Sequence, residues 1–218
     1  MTKVKICGLK TLADVEKVNR YLPEYIGFVF ADTRRFVTDD QAFNMRQALD
    51  QQIQAVGVFV NEPMEHIIRL CDMGVINLVQ LHGEESEDYI RKLKQKTDTP
   101  VIKAVKVQSA GQLSGQVSQE ADFILFDTYK KGSPGGTGER FPLEILEDGL
   151  KKVRDDGQII KPYFMAGGLD CQNVAEVLCR VDCFAVDVSS GVETDGVKDE
   201  NKIRQFIELV RTIGKGDL

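Results

Sequence analysis

The chain has 218 residues, 42% of them hydrophobic and 28% charged, and its formal net charge at pH 7 is −6. That length accommodates one large domain or two small ones, and the composition is that of an ordered, soluble globular protein. The charge is negative and no block of lysine and arginine is longer than two residues. These features exclude a protein that binds the phosphate backbone of nucleic acid, so we expect no nucleic-acid partner.

Membrane segments and metal sites are not expected either. No apolar run reaches the roughly 18 residues of a membrane span, and the first residues lack the long apolar segment of a signal peptide, so we expect a cytoplasmic protein without membrane contact. The five cysteines are odd in number and never spaced as CxxC, and only two histidines are present. A disulfide framework, a structural zinc site and a histidine-rich metal site are therefore excluded.

Short β-branched runs alternate with amphipathic segments along the whole chain. Strands are predicted at 3–7, 25–30, 55–60, 77–81, 101–105, 122–127, 163–165 and 183–188, and helices at 11–20, 39–50, 63–73, 86–96, 110–120, 142–153, 171–179 and 199–213. Strict alternation predicts a parallel sheet, and eight units of about 25 residues predict an α/β fold of the closed (β/α)8 TIM-barrel type. Such barrels typically need about 250 residues, so we expect short loops and a single domain over 1–218.

Polar residues gather where the predicted strands end, which is where barrels of this type place their active sites. The stretch 123–141 shows this most clearly, because an apolar run ends in Asp127 and four glycines follow it. Those glycines, which let backbone N–H groups approach an anion closely, are Gly132, Gly135, Gly136 and Gly138. The alternative interpretation is a mobile surface loop that begins with a turn residue.

Two Gly/Ser turns follow the last two strands, AGGL at 166–169 and DVSSG at 187–191. Each turn can direct free backbone N–H groups at an anion, and loops after the seventh and eighth strands form the common phosphate site of this barrel class. The pair therefore indicates phosphate binding, whereas ordinary tight turns are the alternative.

Strand alternation places Lys3, Lys5 and Cys7 on the inner face of the first strand and the intervening apolar residues under the helices. Cys7 then faces the mouth with the Lys5 ammonium below it, which is expected to lower the pKa of the thiol and favour a base or nucleophile. Alternatively, Cys7 is a small buried hydrophobe and Lys5 pairs with a carboxylate such as Asp187. Lys103 is also predicted to point inward.

Asp127 is the candidate acid, which together with a base on another strand suits proton transfer at a carbon of a phosphosugar. Arg34 and Arg35 are either solvated loop charges or a bidentate partner for a substrate carboxylate. His82 is either a second acid/base or a structural hydrogen-bond donor, and the residues alone leave both open.

The chain resembles the phosphoribosylanthranilate isomerase family over essentially its whole length. The resemblance is carried by KICGLK, GFVFADTRRFVT, VGVFVN, VQLHGEE, IKAV, FDT with GGTGERF, AGGLDCQNV and VDVSSGVETDGVKD. It implies that Cys7 is the general base, that Asp127 is the general acid and that Arg35 holds the anthranilate carboxylate. The loop ADTRRF is a residue shorter than the family's proline-containing form, so Arg34 stays the competitor of Arg35.

The family's phosphate turns fall on Gly167, Gly168, Ser189, Ser190 and Gly191. We add His82, Gly136, Gly138 and Asp187 to the predicted substrate-binding residues.

The implied reaction is the Amadori rearrangement of N-(5-phosphoribosyl)anthranilate, with neither metal nor organic cofactor. We expect this small phosphosugar to be the chain's partner and the chain to be a monomer. Two rival interpretations remain. One is another phosphosugar barrel enzyme, such as an indole-glycerol-phosphate synthase or a sugar-phosphate epimerase, and the other is a non-catalytic binding barrel.

Overall fold

A computed structural model describes residues 1–107, 118–127, 143–155 and 161–213. Eight parallel strands close into a barrel in which each strand pairs with its neighbours in sequence and β8 pairs with β1. The strands are β1 Lys3–Cys7, β2 Tyr25–Val29, β3 Gln54–Phe59, β4 Leu78–Leu81, β5 Val101–Lys106, β6 Phe123–Asp127, β7 Tyr163–Ala166 and β8 Ala185–Val188. The predicted (β/α)8 barrel is thereby confirmed.

The helices lie between the strands, at positions close to those predicted. They are α1 Leu12–Tyr21, α2 Asp39–Ala48, α3 Met64–Asp72, α4 Glu87–Lys94, α5 Leu143–Asp155, α6 Val174–Arg180 and α7 Glu200–Ile213. The predicted helix 110–120 lies mostly outside the described residues, and its described part, 118–120, is not helical. No helix in the described ranges has both the length and the apolar character needed to cross a bilayer.

Local hydrogen bonds set where several helices begin. Thr11 and Thr38 precede α1 and α2, and each forms a capping box in which its hydroxyl accepts from the backbone of the third helical residue. Helix α6 starts later than predicted, because the Asp170 carboxylate accepts from the backbone N–H groups of Gln172 and Asn173 and holds them in a turn.

The core has two layers separated by the barrel wall. Val4 and Ile6 of β1 are buried in the outer layer, among the side chains that pack between strands and helices. The inner layer fills the barrel and consists of Tyr25, Val56, Leu78, Ile102, Leu125, Phe164, Ala166 and Ala185. The side chain of Lys5 is fully buried, which confirms that β1 has an apolar outer face and a polar inner one.

A short hairpin follows β8 and was not predicted. A 3₁₀ turn at Ser190–Val192 leads into β9, Glu193–Thr194, which pairs antiparallel with β10, Val197–Lys198. The two turn residues, Asp195 and Gly196, both have positive φ, at 51° and 77°. An Asp-Gly pair between short strands is a known hairpin signal, so the sequence did contain the information. This 193–198 hairpin contributes two charged residues, Glu193 and Lys198, to the barrel mouth.

Candidate active site

Cys7 ends β1 at the carboxyl edge of the barrel and is partly exposed. It pairs with Gly27 of β2, where an added Cβ would lie only 2.7 Å from Cys7 Sγ. Because Gly27 has no side chain, it leaves room for the thiol of Cys7. The Ser189 hydroxyl donates to the Cys7 carbonyl at 3.0 Å, which ties the end of β1 to the turn after β8.

Lys5 and Asp187 form a buried ion pair below Cys7, with 3.0 Å between Nζ and Oδ2. Burial by itself would lower the pKa of Lys5, but Asp187 and then Cys7 more than offset it, and the pKa is raised. The two alternatives for Lys5 are therefore both present, because it pairs with Asp187 and lies beside the thiol. The predicted substrate-binding Asp187 has its Oδ2 committed to this pair, and its buried Oδ1 has no hydrogen-bond partner among the described residues.

The expectation of a lowered pKa at Cys7 is wrong in the protein without substrate. Removal of the thiol from water raises its pKa, Lys5 opposes that shift, Asp187 adds to it and Lys198 opposes it, and the net result is a raised pKa. Strand alternation located the Lys5 ammonium correctly but could not weigh it against burial, which disfavours the charged thiolate.

Arg35 lies over β1 and is held by a carboxylate. Its Nε and Nη2 donate to Glu193 at 2.8 and 3.0 Å, which is a bidentate arrangement. Gly8 has φ of 82°, and an added Cβ there would lie 2.3 Å from Arg35 Cδ. The glycine after Cys7 therefore both adopts the left-handed backbone and lets the arginine pass over it.

Arg34 reaches the same carboxylate from further out. Its Nη2 donates to Glu193 at 2.9 Å, but its side chain is 61% exposed, compared with 21% for Arg35. Of the two arginines, Arg35 is thus the one that lies within the mouth. The sequence interpretation missed Glu193, which also pairs with Lys198 at 2.9 Å.

The shared carboxylate is strongly acidic. Burial acts to raise the pKa of Glu193, but hydrogen bonds from Arg35 and Lys198 and the charges on both outweigh it and lower the pKa to about 2. Glu193 is therefore ionised at any pH near neutrality and stays available as the counter-charge for the cations around it.

Asp127 ends β6, on the other side of the mouth, and contacts His82. His82 Nε2 lies 3.1 Å from Asp127 Oδ2, and His82 Nδ1 lies 2.9 Å from Gln80 Nε2. Because the Gln80 amide nitrogen can only donate, Nδ1 accepts and the ring proton is on Nε2, directed at Asp127. Gln80 is 1% exposed and was missed, although it shares the inner face of β4 with Leu78. For His82, this geometry favours the structural-donor alternative.

The two predicted phosphate turns lie against each other. An added Cβ at Gly191 would lie 1.9 Å from the Leu169 carbonyl oxygen, so the turn after β8 packs directly on the one after β7. Gly167 and Gly168 have φ of 98° and 66°, and the space in front of Gly168 is open to 4 Å. Both glycines therefore need their conformational freedom, and Gly168 faces space that a ligand can fill.

Two parts of the predicted site require qualification. The Ser189 hydroxyl is used to hold Cys7, so Ser189 can offer an anion its backbone N–H but not this hydroxyl. The prediction that Lys103 points inward is wrong, because it alternates on β5 with Val101 and Val105 of the outer layer, and its Nζ donates to the Gly83 carbonyl oxygen and to Glu85, each at 2.6 Å. Gly136 and Gly138 lie outside the described residues.

In the parts of the chain that the structure describes, no cluster of three or more His, Cys, Asp or Glu side chains could hold a metal ion.

A family model described as N-(5'-phosphoribosyl)anthranilate (PRA) isomerase matches residues 4–209. A relative of that name from Lachnoclostridium phytofermentans is 47% identical over 208 residues, which cover 94% of this chain and 95% of the relative. Another from Endomicrobium trichonymphae is 44% identical over 213 residues, which cover 98% of this chain and 100% of the relative.

Solved structures give the same result. The phosphoribosyl anthranilate isomerase of Thermotoga maritima superimposes with a TM-score of 0.81 at 33% identity, covering 97% of this chain and 100% of that chain. A second structure, 32% identical with a TM-score of 0.78 and covering 97% of this chain and 100% of its own, is a complex with reduced 1-(o-carboxyphenylamino)-1-deoxyribulose 5-phosphate. The chain therefore belongs to the N-(5'-phosphoribosyl)anthranilate isomerase family.

Proposed function

We propose that this isomerase of tryptophan biosynthesis converts N-(5-phosphoribosyl)anthranilate to 1-(2-carboxyphenylamino)-1-deoxyribulose 5-phosphate by general acid–base catalysis, with Cys7 as the base and Asp127 as the acid. The activity follows from the family, which the chain matches over residues 4–209. The observation that carries the mechanism is the placement of a thiol and a carboxyl group at the carboxyl ends of β1 and β6, on two sides of one barrel mouth.

The reaction begins with the acid. The Asp127 carboxyl group protonates the furanose ring oxygen, the bond from that oxygen to C1 breaks, and the nitrogen lone pair forms a protonated Schiff base. The Cys7 thiolate then removes the proton from C2, and those electrons neutralise the nitrogen and give an enolamine. Protonation of C1 and loss of the proton from the C2 hydroxyl group convert the enolamine to the ketone. A positioned acid or base typically contributes about 10²–10⁴ in rate, and this scheme uses one of each.

The two ends of the substrate are proposed to bind on the base side. Arg35 would hold the anthranilate carboxylate, since it lies next to Cys7 and already engages a carboxylate in bidentate fashion. The phosphate would lie on the backbone N–H groups of the turns that contain Gly167, Gly168 and 189–191. A family structure is a complex with reduced 1-(o-carboxyphenylamino)-1-deoxyribulose 5-phosphate, a ligand that carries both a carboxylate and a phosphate.

The remaining predicted site residues are proposed to have supporting roles. We propose that His82 orients Asp127, that Asp187 acts through Lys5, and that Gly136 and Gly138 bind the substrate. The scheme needs neither metal nor organic cofactor. We further propose that 1–218 is one domain that acts as a monomer in the cytoplasm, which size-exclusion chromatography with light scattering and cell fractionation would test.

A direct assay tests the proposed function. Freshly prepared substrate is added to purified protein, and the loss of anthranilate-type fluorescence is followed for the parent, Cys7→Ser and Cys179→Ser. We expect rapid turnover by the parent and by Cys179→Ser, whose exposed cysteine lies on α6. Cys7→Ser should lose about 10²–10⁴ in kcat. Retention of activity within about tenfold of the parent would remove Cys7 from this role, because a proton-transfer group is worth more than that.

A further inference from the structure

Lys198 is a buried cation that the acid–base scheme does not use. It lies on β10 of the 193–198 hairpin and is 3% exposed. Its Nζ donates to the Ser189 carbonyl oxygen at 2.9 Å and pairs with Glu193 Oε1 at 2.9 Å. Burying an ammonium group is costly unless it is well compensated, and a surface hairpin does not require one.

The geometry connects Lys198 to Cys7. Lys198 holds the Ser189 carbonyl oxygen, and the Ser189 hydroxyl donates to the carbonyl oxygen of Cys7 at 3.0 Å. The ammonium group and the backbone of Cys7 are therefore connected through one residue of the turn after β8. Burial lowers the pKa of Lys198 and raises the pKa of Cys7, and the charge on each group opposes the shift of the other.

The charged groups that act on Cys7 come from three elements, Lys5 on β1, Asp187 on β8 and Lys198 on the hairpin. Lys5 and Asp187 form a pair whose charges cancel. Lys5 and Asp187 therefore largely offset each other at the thiol, and Lys198 adds a further positive charge that favours the thiolate against burial.

The charged side chains on and around the 193–198 hairpin carry an excess of positive charge. Three cations, Arg34, Arg35 and Lys198, share the one carboxylate of Glu193, so the cluster has a net charge of +2. When a substrate carboxylate binds to Arg35, one positive charge remains uncompensated. A thiolate at Cys7 would balance it, since the charges on Cys7 and Lys198 interact.

We propose that Lys198 is a positioning residue for the catalytic base, and that its buried ammonium group favours ionisation of Cys7 to the thiolate while Glu193 keeps the ammonium and Arg35 in place. This inference rests on the proposed function, since it takes Cys7 to be the base. If Lys198 only fastened the hairpin to the barrel, its loss would affect stability without changing the ionisation of Cys7.

The test is the pH dependence of Cys7 alkylation, in which only the thiolate displaces iodide from iodoacetamide. The rate at the peptide that contains Cys7 is measured by mass spectrometry in the parent, Lys198→Met, Lys198→Arg and Lys202→Met. Lys202 is the matched control, because its Nζ donates to the Glu193 carbonyl oxygen at 2.7 Å and fastens the same hairpin. Thermal unfolding of each variant shows that it is folded.

Lys198→Met should move the alkylation midpoint higher by about one pH unit, because removal of a nearby positive charge disfavours the thiolate. At neutral pH this slows alkylation about tenfold. Lys198→Arg should restore most of the shift, and Lys202→Met should keep the parent's midpoint. If Lys198→Met does not fold, Lys198→Gln replaces it, because its amide still donates to the Ser189 carbonyl oxygen without the charge. An unchanged midpoint in the folded variant overturns the proposal.

The alkylation experiment can distinguish a failure of the Lys198–Cys7 coupling from a failure of the proposed function. The alkylation midpoint reports ionisation of Cys7 whether or not the thiol is catalytic. If Cys7→Ser kept its activity, the assignment of the base would fail while a shifted midpoint still supported the Lys198–Cys7 coupling. If both hold, the acidic limb of kcat/KM in Lys198→Met should move by the same amount as the alkylation midpoint.

Discussion

Buried charges act on Cys7, whereas Asp127 Oδ2 lies 3.1 Å from the ring of His82, which Gln80 contacts at its other nitrogen. The difference matches the chemistry proposed for each side. A buried thiol is neutral unless cations favour its thiolate, so the base side needs ammonium groups. A carboxyl group that must donate a proton needs orientation more than charge, and the Nε2–H of His82 provides it. One barrel mouth thus prepares its two reactive groups by different physical means.

Asp127→Asn should have the largest effect on the acid side. An amide cannot protonate the ring oxygen, so we expect kcat to fall about 10²–10⁴-fold with little change in product binding. The matched control is Asp88→Asn, which changes an exposed carboxylate on α4 that is paired only locally. If steady-state kinetics put Asp127→Asn within an order of magnitude of that control, the acid must be sought elsewhere.

Arg35→Ala tests the carboxylate-binding part of the base side. A hydrogen bond to a charged group is worth about 1.5–3 kcal/mol, so KM should rise roughly 10- to 100-fold. We expect kcat to change less, because a carboxylate far from the reacting carbons is held about equally in the ground and transition states. Arg34→Ala is the comparison, and it should raise KM less because its side chain is mostly exposed. A larger KM effect at Arg34 would reverse the assignment.

The Gln80–His82 chain should have a smaller effect. Gln80→Leu removes the donor that fixes the His82 tautomer, and the loss of one such hydrogen bond should lower kcat about tenfold while KM stays near the parent value. His82→Gln should retain more activity than His82→Ala, since its amide nitrogen can replace Nε2 as a donor to Asp127. Equal losses in the two His82 variants would mean that the ring does more than donate this hydrogen bond.

The smallest effect concerns acid stability. The folded-state pKa of Glu193, about 2, is below its ordinary value of 4.5, so its ionised form stabilises the protein above pH 4.5. That stabilisation is lost as the pH falls from there through about 2. Glu193→Gln should lower the unfolding free energy at neutral pH and flatten its pH dependence in this window. Urea titrations at several pH values would measure both, and an unflattened profile would show that Glu193 is not the group responsible.

The barrel and the positions of Cys7 and Asp127 at the ends of strands were predictable, because strand alternation and strand ends are local properties. Alternation placed Lys5 and Cys7 inside, and the end of an apolar run marked Asp127. Glu193 and Lys198 were not found, since their importance depends on a hairpin that folds back onto β1, about 190 residues away along the chain. The direction of the Cys7 pKa also escaped prediction, because it depends on a balance between burial and charge that no spacing encodes.

Gln80 shows a different limit. Gln80 and His82 are two residues apart and share one face of the chain, so their contact is local and the spacing allowed it. The spacing does not encode the partner of His82, because Asp127 is 45 residues away along the chain. Only the closed barrel brings the imidazole within 3.1 Å of that carboxylate.

The most direct test of the acid–base division is the kinetic isotope effect with substrate deuterated at C2, measured in single turnovers of Cys7→Ser and Asp127→Asn. If Cys7 removes the C2 proton, its loss makes that step rate-limiting, and Cys7→Ser should show a larger isotope effect than the parent. If Asp127 opens the ring, its loss makes ring opening rate-limiting, and the effect in Asp127→Asn should fall toward unity. A small effect in Cys7→Ser with a large one in Asp127→Asn would contradict the assignment of base and acid.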